Sequence, residues 1–189
     1  MRSFMLTAVC AGLVTGVAFA AEAAKSFGVC PVGGKPAKED VSIDYKGKKI
    51  YFCCPGCEGE VKEHPEKFTS KLNNQLAVTH QIVQVACPLS GGPVKKGTEV
   101  EVGDVKVGFC CENCQKKVAK ATDDEKVELV FAKIDKGFTM QDKCPVSGKP
   151  INPEMKTEYK GKTVFFCCGG CPKAFEADPE KFAAKLPKE

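Results

Sequence analysis

Thirteen cysteines stand in a chain of 189 residues, against two histidines and no tryptophan. Twelve of them fall into three sets with one internal spacing: Cys30 with Cys53, Cys54 and Cys57; Cys87 with Cys110, Cys111 and Cys114; Cys144 with Cys167, Cys168 and Cys171. In every set 23 positions separate the first two members, and successive sets are offset by 57. Thiols at this density serve three chemistries: they hold a thiophilic metal ion, close disulfides in an oxidising compartment, or exchange disulfides. A structural zinc site takes four ligands, commonly from a knuckle and from a helix start with C-x2-C spacing. Cys54-x2-Cys57 supplies the helix side, and Cys30 sits in a Cys-Pro-x-x-Gly knuckle. Gly33, Ser90 and Ser147 replace the usual second knuckle cysteine. Either the first cysteine of each pair completes a set of four, or three thiolates bind, which suits a soft ion such as Cu+.

The competing chemistries leave different marks. As disulfides, Cys53 and Cys54 would have to pair with Cys30 and Cys57, and the protein would be a disulfide-stabilised extracytoplasmic interaction scaffold. As a thiol redox protein it would use Cys54-Pro55-Gly56-Cys57 and its two counterparts, whose place at a helix start lowers a thiol pKa. No βαβ framework surrounds them, and the extra cysteine beside each would scramble a clean dithiol. Haem attachment is excluded, because Glu58, Gln115 and Pro172 stand where histidine is required. A sulfur–sulfur distance near 2 Å would mark a bond; sulfurs that converge without bonding suit a metal with Zn–S near 2.3 Å.

The elements that must position these thiols repeat with them. After each Cys-Pro turn comes a hairpin: Val41, Ile43 and Tyr45 alternate, Lys46-Gly47 turns, and Ile50 to Phe52 returns. Tyr159, Lys160-Gly161 and Val164 to Phe166 form the third copy; Val100, Val102, Gly103-Asp104, Val105 and Val107 form the second. The returning strand delivers Phe52, Phe109 or Phe166 directly into the cysteine pair. Alternation along a strand then sends the aromatic ring into a small core and the thiol to the opposite face. A short helix starts near the last cysteine, with Val61, Val118 and Phe175 one turn on. Asp178-Pro179-Glu180-Lys181-Phe182 starts a second helix with an N-cap and an N1 proline, and His64-Pro65-Glu66-Lys67-Phe68 is its first-copy version. The middle copy lacks this closing motif. Val127 to Phe131 reads there as a strand, and Leu76 to Val85 as connecting structure.

Residues 1–20 read as a cleaved secretory signal: Arg2, an apolar stretch from Phe4 to Val17, and Ala18-Phe19-Ala20 as the cleavage site, with Ala23 the alternative. The apolar run is short for a spanning helix, and Cys10 lies inside it without the flanking residues of a lipoprotein signal. Cleavage leaves an even number of cysteines in an exported, periplasmic or secreted chain with no membrane span. A net charge of +4, evenly spread, gives no footprint for nucleic acid. His64 reads as a helix cap and His80 as a surface residue; Met140 and Met155 are too isolated for a copper-binding methionine stretch. Lys116-Lys117 and Lys160 to Lys162 read as solvated faces. No Ser-His-Asp set, acid pair or phosphate loop is present, and no enzymatic activity is expected.

The units resemble the TRASH/YHS domain family, small treble-clef-like metal-binding modules. The resemblance rests on Cys144-Pro145-Val146-Ser147-Gly148, Tyr159-Lys160-Gly161-Lys162, Phe166-Cys167, Cys171 and Asp178 to Phe182 in the third copy. The first copy matches with His64 for the aspartate; the second keeps its cysteines but loses the tyrosine and the closing motif. The implied fold is small α+β, with three tandem treble-clef-like modules at 26–75, 83–134 and 140–189, each a Cys-Pro knuckle, a β-hairpin and short helices. The implied ligands are Cys30, Cys53 and Cys57 and their equivalents; Cys54, Cys111 and Cys168 occupy a position that the family often fills with serine. Composition and resemblance together predict an exported, non-enzymatic protein that binds up to one Zn2+ per module, with Cu+ or another soft ion as the alternative. Its partners are then metal ions, with a protein partner for sequestration or trafficking.

Overall fold

The structure, a computed structural model, describes residues 27–187. The expected signal segment, with Cys10, lies outside the described residues. The described chain is a small mixed α/β structure of short strands and helices built from three successive hairpins. The first comprises β1 (Lys38–Tyr45) and β2 (Lys48–Phe52), followed by α1 (Pro55–Glu63), a 3-10 turn (Pro65–Phe68) and α2 (Thr69–Val78). After β3 (Val83–Gln84) come β4 (Val100–Val102), β5 (Val105–Val107), α3 (Glu112–Ala119) and α4 (Asp123–Phe131). After β6 (Phe138–Thr139) come β7 (Asn152–Tyr159), β8 (Lys162–Phe166), α5 (Gly170–Ala177) and α6 (Pro179–Ala183).

The repeat in sequence is a repeat in geometry. Each knuckle closes with the first cysteine's amide donating across the turn, Cys30 to Lys35 O, Cys87 to Gly92 O and Cys144 to Lys149 O, at 2.7–2.8 Å. Gly34, Gly91 and Gly148 take φ near +64°, +75° and +72° there, a conformation that glycine adopts without Cβ strain. The hairpin turns Lys46-Gly47, Gly103-Asp104 and Lys160-Gly161 have positive φ at both central residues, the twist that joins two strands through a two-residue loop. Irregular pairing recurs at equivalent places in β1 and β7, between Lys38 and Ser42 and between Asn152 and Lys156.

Phe52, Phe109 and Phe166 are all fully buried, as are Val61, Val118 and Phe175 on the helices that follow. Side chains of this size each contribute about 1.5–3 kcal/mol when taken out of water. They do not form three equal cores. The first and second units share one, in which Ile50, Leu72, Leu76, Val102, Val107 and Phe131 meet across α2 and α4. The third unit has its own, formed by Val164, Phe166, Phe175, Cys144 and Cys171. Asn73 and Asn74 on α2 reinforce the shared core by donating to Phe131 O at 2.7 Å and to Gly103 O at 3.0 Å. The third unit attaches through the β3–β6 pairing and through Lys48 Nζ–Asp142, 3.0 Å apart.

Two expectations for the middle unit are corrected. Val127 to Phe131 is the second half of helix α4, not a strand, and so the unit does have a closing helix. Its start is a capping box: Thr122 and Glu125 satisfy each other's backbone amides. The β-branched and aromatic run forms a helix because Val127, Val130 and Phe131, at i, i+3 and i+4, share one face on the common core beside α2. Leu76, read as connecting structure, is a fully buried core residue of α2. His64 holds the N-cap position of the 3-10 turn, but its side chain caps nothing; Nδ1 lies 3.7 Å from Glu66. Asp178 does cap, accepting from the Lys181 amide.

Candidate metal centres

Each centre is assembled by three elements. The knuckle places Cys30, Cys87 or Cys144, which are buried. The end of the returning strand places Cys53, Cys110 or Cys167, and the first turn of the next helix places Cys57, Cys114 or Cys171. In each unit the sulfurs of these three residues lie within 4.8 Å of one another. The pairs Cys53–Cys57, Cys110–Cys114 and Cys167–Cys171 are 3.7, 3.8 and 3.7 Å apart. Four thiolates around zinc at 2.3 Å would stand about 3.8 Å apart along each edge, so these separations fit a shared ion. All twelve described cysteines are free thiols.

The fourth cysteine of each set stands beside the three. Cys54 and Cys168 are exposed and Cys111 half-buried. Cys54 Sγ is 3.6 Å from Cys57 Sγ, and Cys168 Sγ is 3.5 Å from Cys171 Sγ, yet neither belongs to the set gathered around the knuckle cysteine. Cys54 and Cys111 are the N-cap residues of α1 and α3, with extended backbone, which turns their side chains outward from the knuckle.

The thiols differ in acidity for physical reasons. Burial raises Cys87 and Cys144, but the Ser90 and Ser147 hydroxyls and nearby backbone amides outweigh it, leaving them at about 7 and about 6. Cys30 is also raised by burial and lowered on balance, through the amides of Gly33, Cys53 and Val32, without a hydroxyl. Burial, then hydrogen bonding to neighbouring thiols, pushes Cys57, Cys114 and Cys171 to about 12. The knuckle sulfurs are thus poised as thiolates, as are Cys54, Cys111 and Cys168, which backbone amides and neighbouring thiols also lower, whereas the helix sulfur holds its proton until a metal competes for it.

The residue in place of the second knuckle cysteine separates the three sites. Ser90 and Ser147 Oγ lie 3.1 Å from Cys110 and Cys167 Sγ. In the first unit the position is Gly33, where an added Cβ would come within 3.0 Å of Cys53 Sγ and 3.3 Å of Cys57 Sγ.

Sequence reasoning missed a glutamine in every unit. Gln84 accepts from the Gly108 amide and donates to Gly108 O and Ala86 O; Gln141 does the same with Phe165 and Lys143 O. Each thereby ties the residue before the knuckle cysteine to the residue before the strand-end aromatic, fixing two cysteine-bearing segments relative to each other. These glutamines stand 57 residues apart, three before their knuckle cysteines, so the repeat itself was the signal. The first unit has Phe27 at that position, packed on Tyr51 with ring centres 4.7 Å apart. Its clamp comes instead from Gln75 on α2, bonded to Tyr51 N and O and to Val29 O at 2.7–2.9 Å.

Among known families, the YHS domain matches residues 143–185, which is the third unit. No curated protein matches the chain, and no solved structure matches it. The YHS match and the three cysteine clusters together point to a metal-binding role.

Proposed function

We propose that this protein is a non-enzymatic carrier of thiophilic metal ions, holding up to one per unit on Cys30/Cys53/Cys57, Cys87/Cys110/Cys114 and Cys144/Cys167/Cys171. The observation that carries this reading is the convergence of three unbonded sulfurs in each unit at the spacing of a shared ion. Zn2+ is the first ion proposed, with one further donor completing its tetrahedron. The separation of the fourth cysteine from each set favours a second reading, a three-coordinate soft ion such as Cu+. The ion is read as cargo because each set has at least one sulfur only partly buried, Cys53, Cys110 or Cys167, and so open to exchange. The leader pattern of residues 1–20 supports action outside the cytoplasm, for sequestration or delivery to a protein partner.

The test is native mass spectrometry of the full chain with and without chelator, joined to thiol counting. Three ions per chain, lost to chelator with release of reactive thiols, are expected. Disulfides with no metal would overturn the proposal in favour of a cross-linked scaffold.

A further inference from the structure

In the first and third units the cysteine that the three-sulfur set leaves out, Cys54 or Cys168, is the exposed one. In the first unit Cys54 Sγ lies 3.9 Å from Cys53 Sγ and 3.6 Å from Cys57 Sγ, which are 3.7 Å from each other. The four sulfurs therefore form two triangles on one shared edge, Cys53–Cys57. Buried Cys30 closes the inner triangle and exposed Cys54 the outer one. A triangle of that size puts its centre about 2.1 Å from each sulfur, close to a Zn–S bond of about 2.3 Å. The outer triangle is by this measure a three-thiolate seat in its own right. Sharing an edge, the two centres are at most about 2.6 Å apart, well inside the roughly 3.5–4 Å at which proteins hold two divalent ions. They are alternative positions for one ion.

We propose that Cys53, Cys54 and Cys57 form an outer seat through which a thiophilic divalent ion enters and leaves the inner one. Cys53 and Cys57 stay bound throughout while Cys54 is exchanged for Cys30. The exchange is thiolate for thiolate and involves no change of oxidation state: the bond to the Cys30 sulfur forms as that to the Cys54 sulfur breaks, and Cys54 is released as a solvent-exposed thiolate. An incoming thiolate or chelator reaches the exposed seat, whereas Cys30 is buried and inaccessible to it. Gly33 suits the first unit to this handover. The corresponding edge sulfurs Cys110 and Cys167 are each held by a serine hydroxyl at 3.1 Å, but Gly33 offers Cys53 none.

The inference rests on the proposed metal binding, and its test separates the two. Serine is a favoured N-cap residue, so Cys54→Ser keeps the start of α1. The full-length variant loaded with Zn2+ is expected to hold as many ions as the wild type. One phase of Zn2+ transfer to a chromophoric chelator should slow about tenfold, the effect of about 1.4 kcal/mol on a barrier. Uptake should slow by the same factor, so the equilibrium affinity is kept, and the phases from the other two units serve as internal controls. Gly33→Ser should slow the same phase. Transfer at the wild-type rate in Cys54→Ser overturns the relay. So does a second Zn2+ in the first unit, or a loss of affinity with faster release, which would make Cys54 a resident ligand. A wild-type chain that takes up no Zn2+ overturns the metal-binding function itself.

Discussion

The first two units and the third use one arrangement of knuckle, hairpin and helix, but they rest on very different amounts of core. Sixteen buried residues join the first two units into a single body, whereas five form the core of the third. A unit of about 45 residues lies near the limit at which an apolar core alone suffices. The first and second units meet that limit by merging: α2 of one packs on α4 of the other. The third meets it with a cluster of rings, Phe175 edge-on to Tyr159 and Phe166 and tilted against Phe182, at 5.3–6.2 Å between centres. The YHS domain match thus falls on the unit that has a core of its own. In the merged pair the closing motif is altered, His64 replacing the aspartate in the first unit and the whole motif missing from the second.

Breaking the third core gives the largest expected effect. Phe175→Ala should cost about 3–5 kcal/mol, unfold the third unit alone, and lower the metal count by one per chain. Denaturant titration should then show one transition where the wild type shows two. Loss of the entire fold in one step would instead mean that the third unit is energetically continuous with the others.

Leu76→Ala, in the middle of the shared core, should cost about 2–5 kcal/mol. It should lower the first and second units together while leaving the third transition in place. Site-resolved hydrogen exchange is the measurement; protection lost in only one of the two units would refute a common core.

Acidity sharpens the comparison at the sites. Above its pKa a knuckle thiol is already a thiolate; below it, protons compete with metal. Cys144 at about 6 remains ionised to lower pH than Cys87 at about 7. Each unit of difference corresponds to about 1.4 kcal/mol, or tenfold in competing affinity. As pH falls from 7.5 to 5.5, the third site should therefore release Zn2+ after the second, as read by occupancy in pH-stepped native mass spectrometry. Ser147→Ala should raise the pH of release at the third site. An unchanged release midpoint in Ser147→Ala would remove the serine's assigned role.

The smallest effect expected is at the helix caps. Thr122→Ala removes half of the capping box of α4, and Asp178→Ala removes the cap of α6. Each should cost about 1 kcal/mol. Thermal melts should place the first loss in the transition of the merged pair and the second in that of the third unit.

Much of the site was legible because its causes are local. Phe52 must point opposite to Cys53 on a strand, and Cys57 must follow Cys54 by most of a helical turn, whatever surrounds them. Hairpin turns such as Lys46-Gly47 carry their geometry in two residues. Helix α4 was misread because Val127 to Phe131 has strand composition, and only packing against α2 decides between the two. The glutamine clamps at Gln84 and Gln141 were available from the 57-residue offset. Gln75 was not, because the equivalent positions hold Ala132 and Glu189, so the repeat does not mark it.

The sequence by itself determined the threefold repeat and the residues that deliver sulfur to each site, since periodicity and backbone alternation act over a few residues. Tertiary structure alone decided that two units share a core, that three sulfurs of each four gather at the knuckle, and that a glutamine from α2 replaces the missing clamp. Those outcomes depend on contacts between residues far apart in the chain, where burial and hydrogen-bond satisfaction select the partner and no spacing records it.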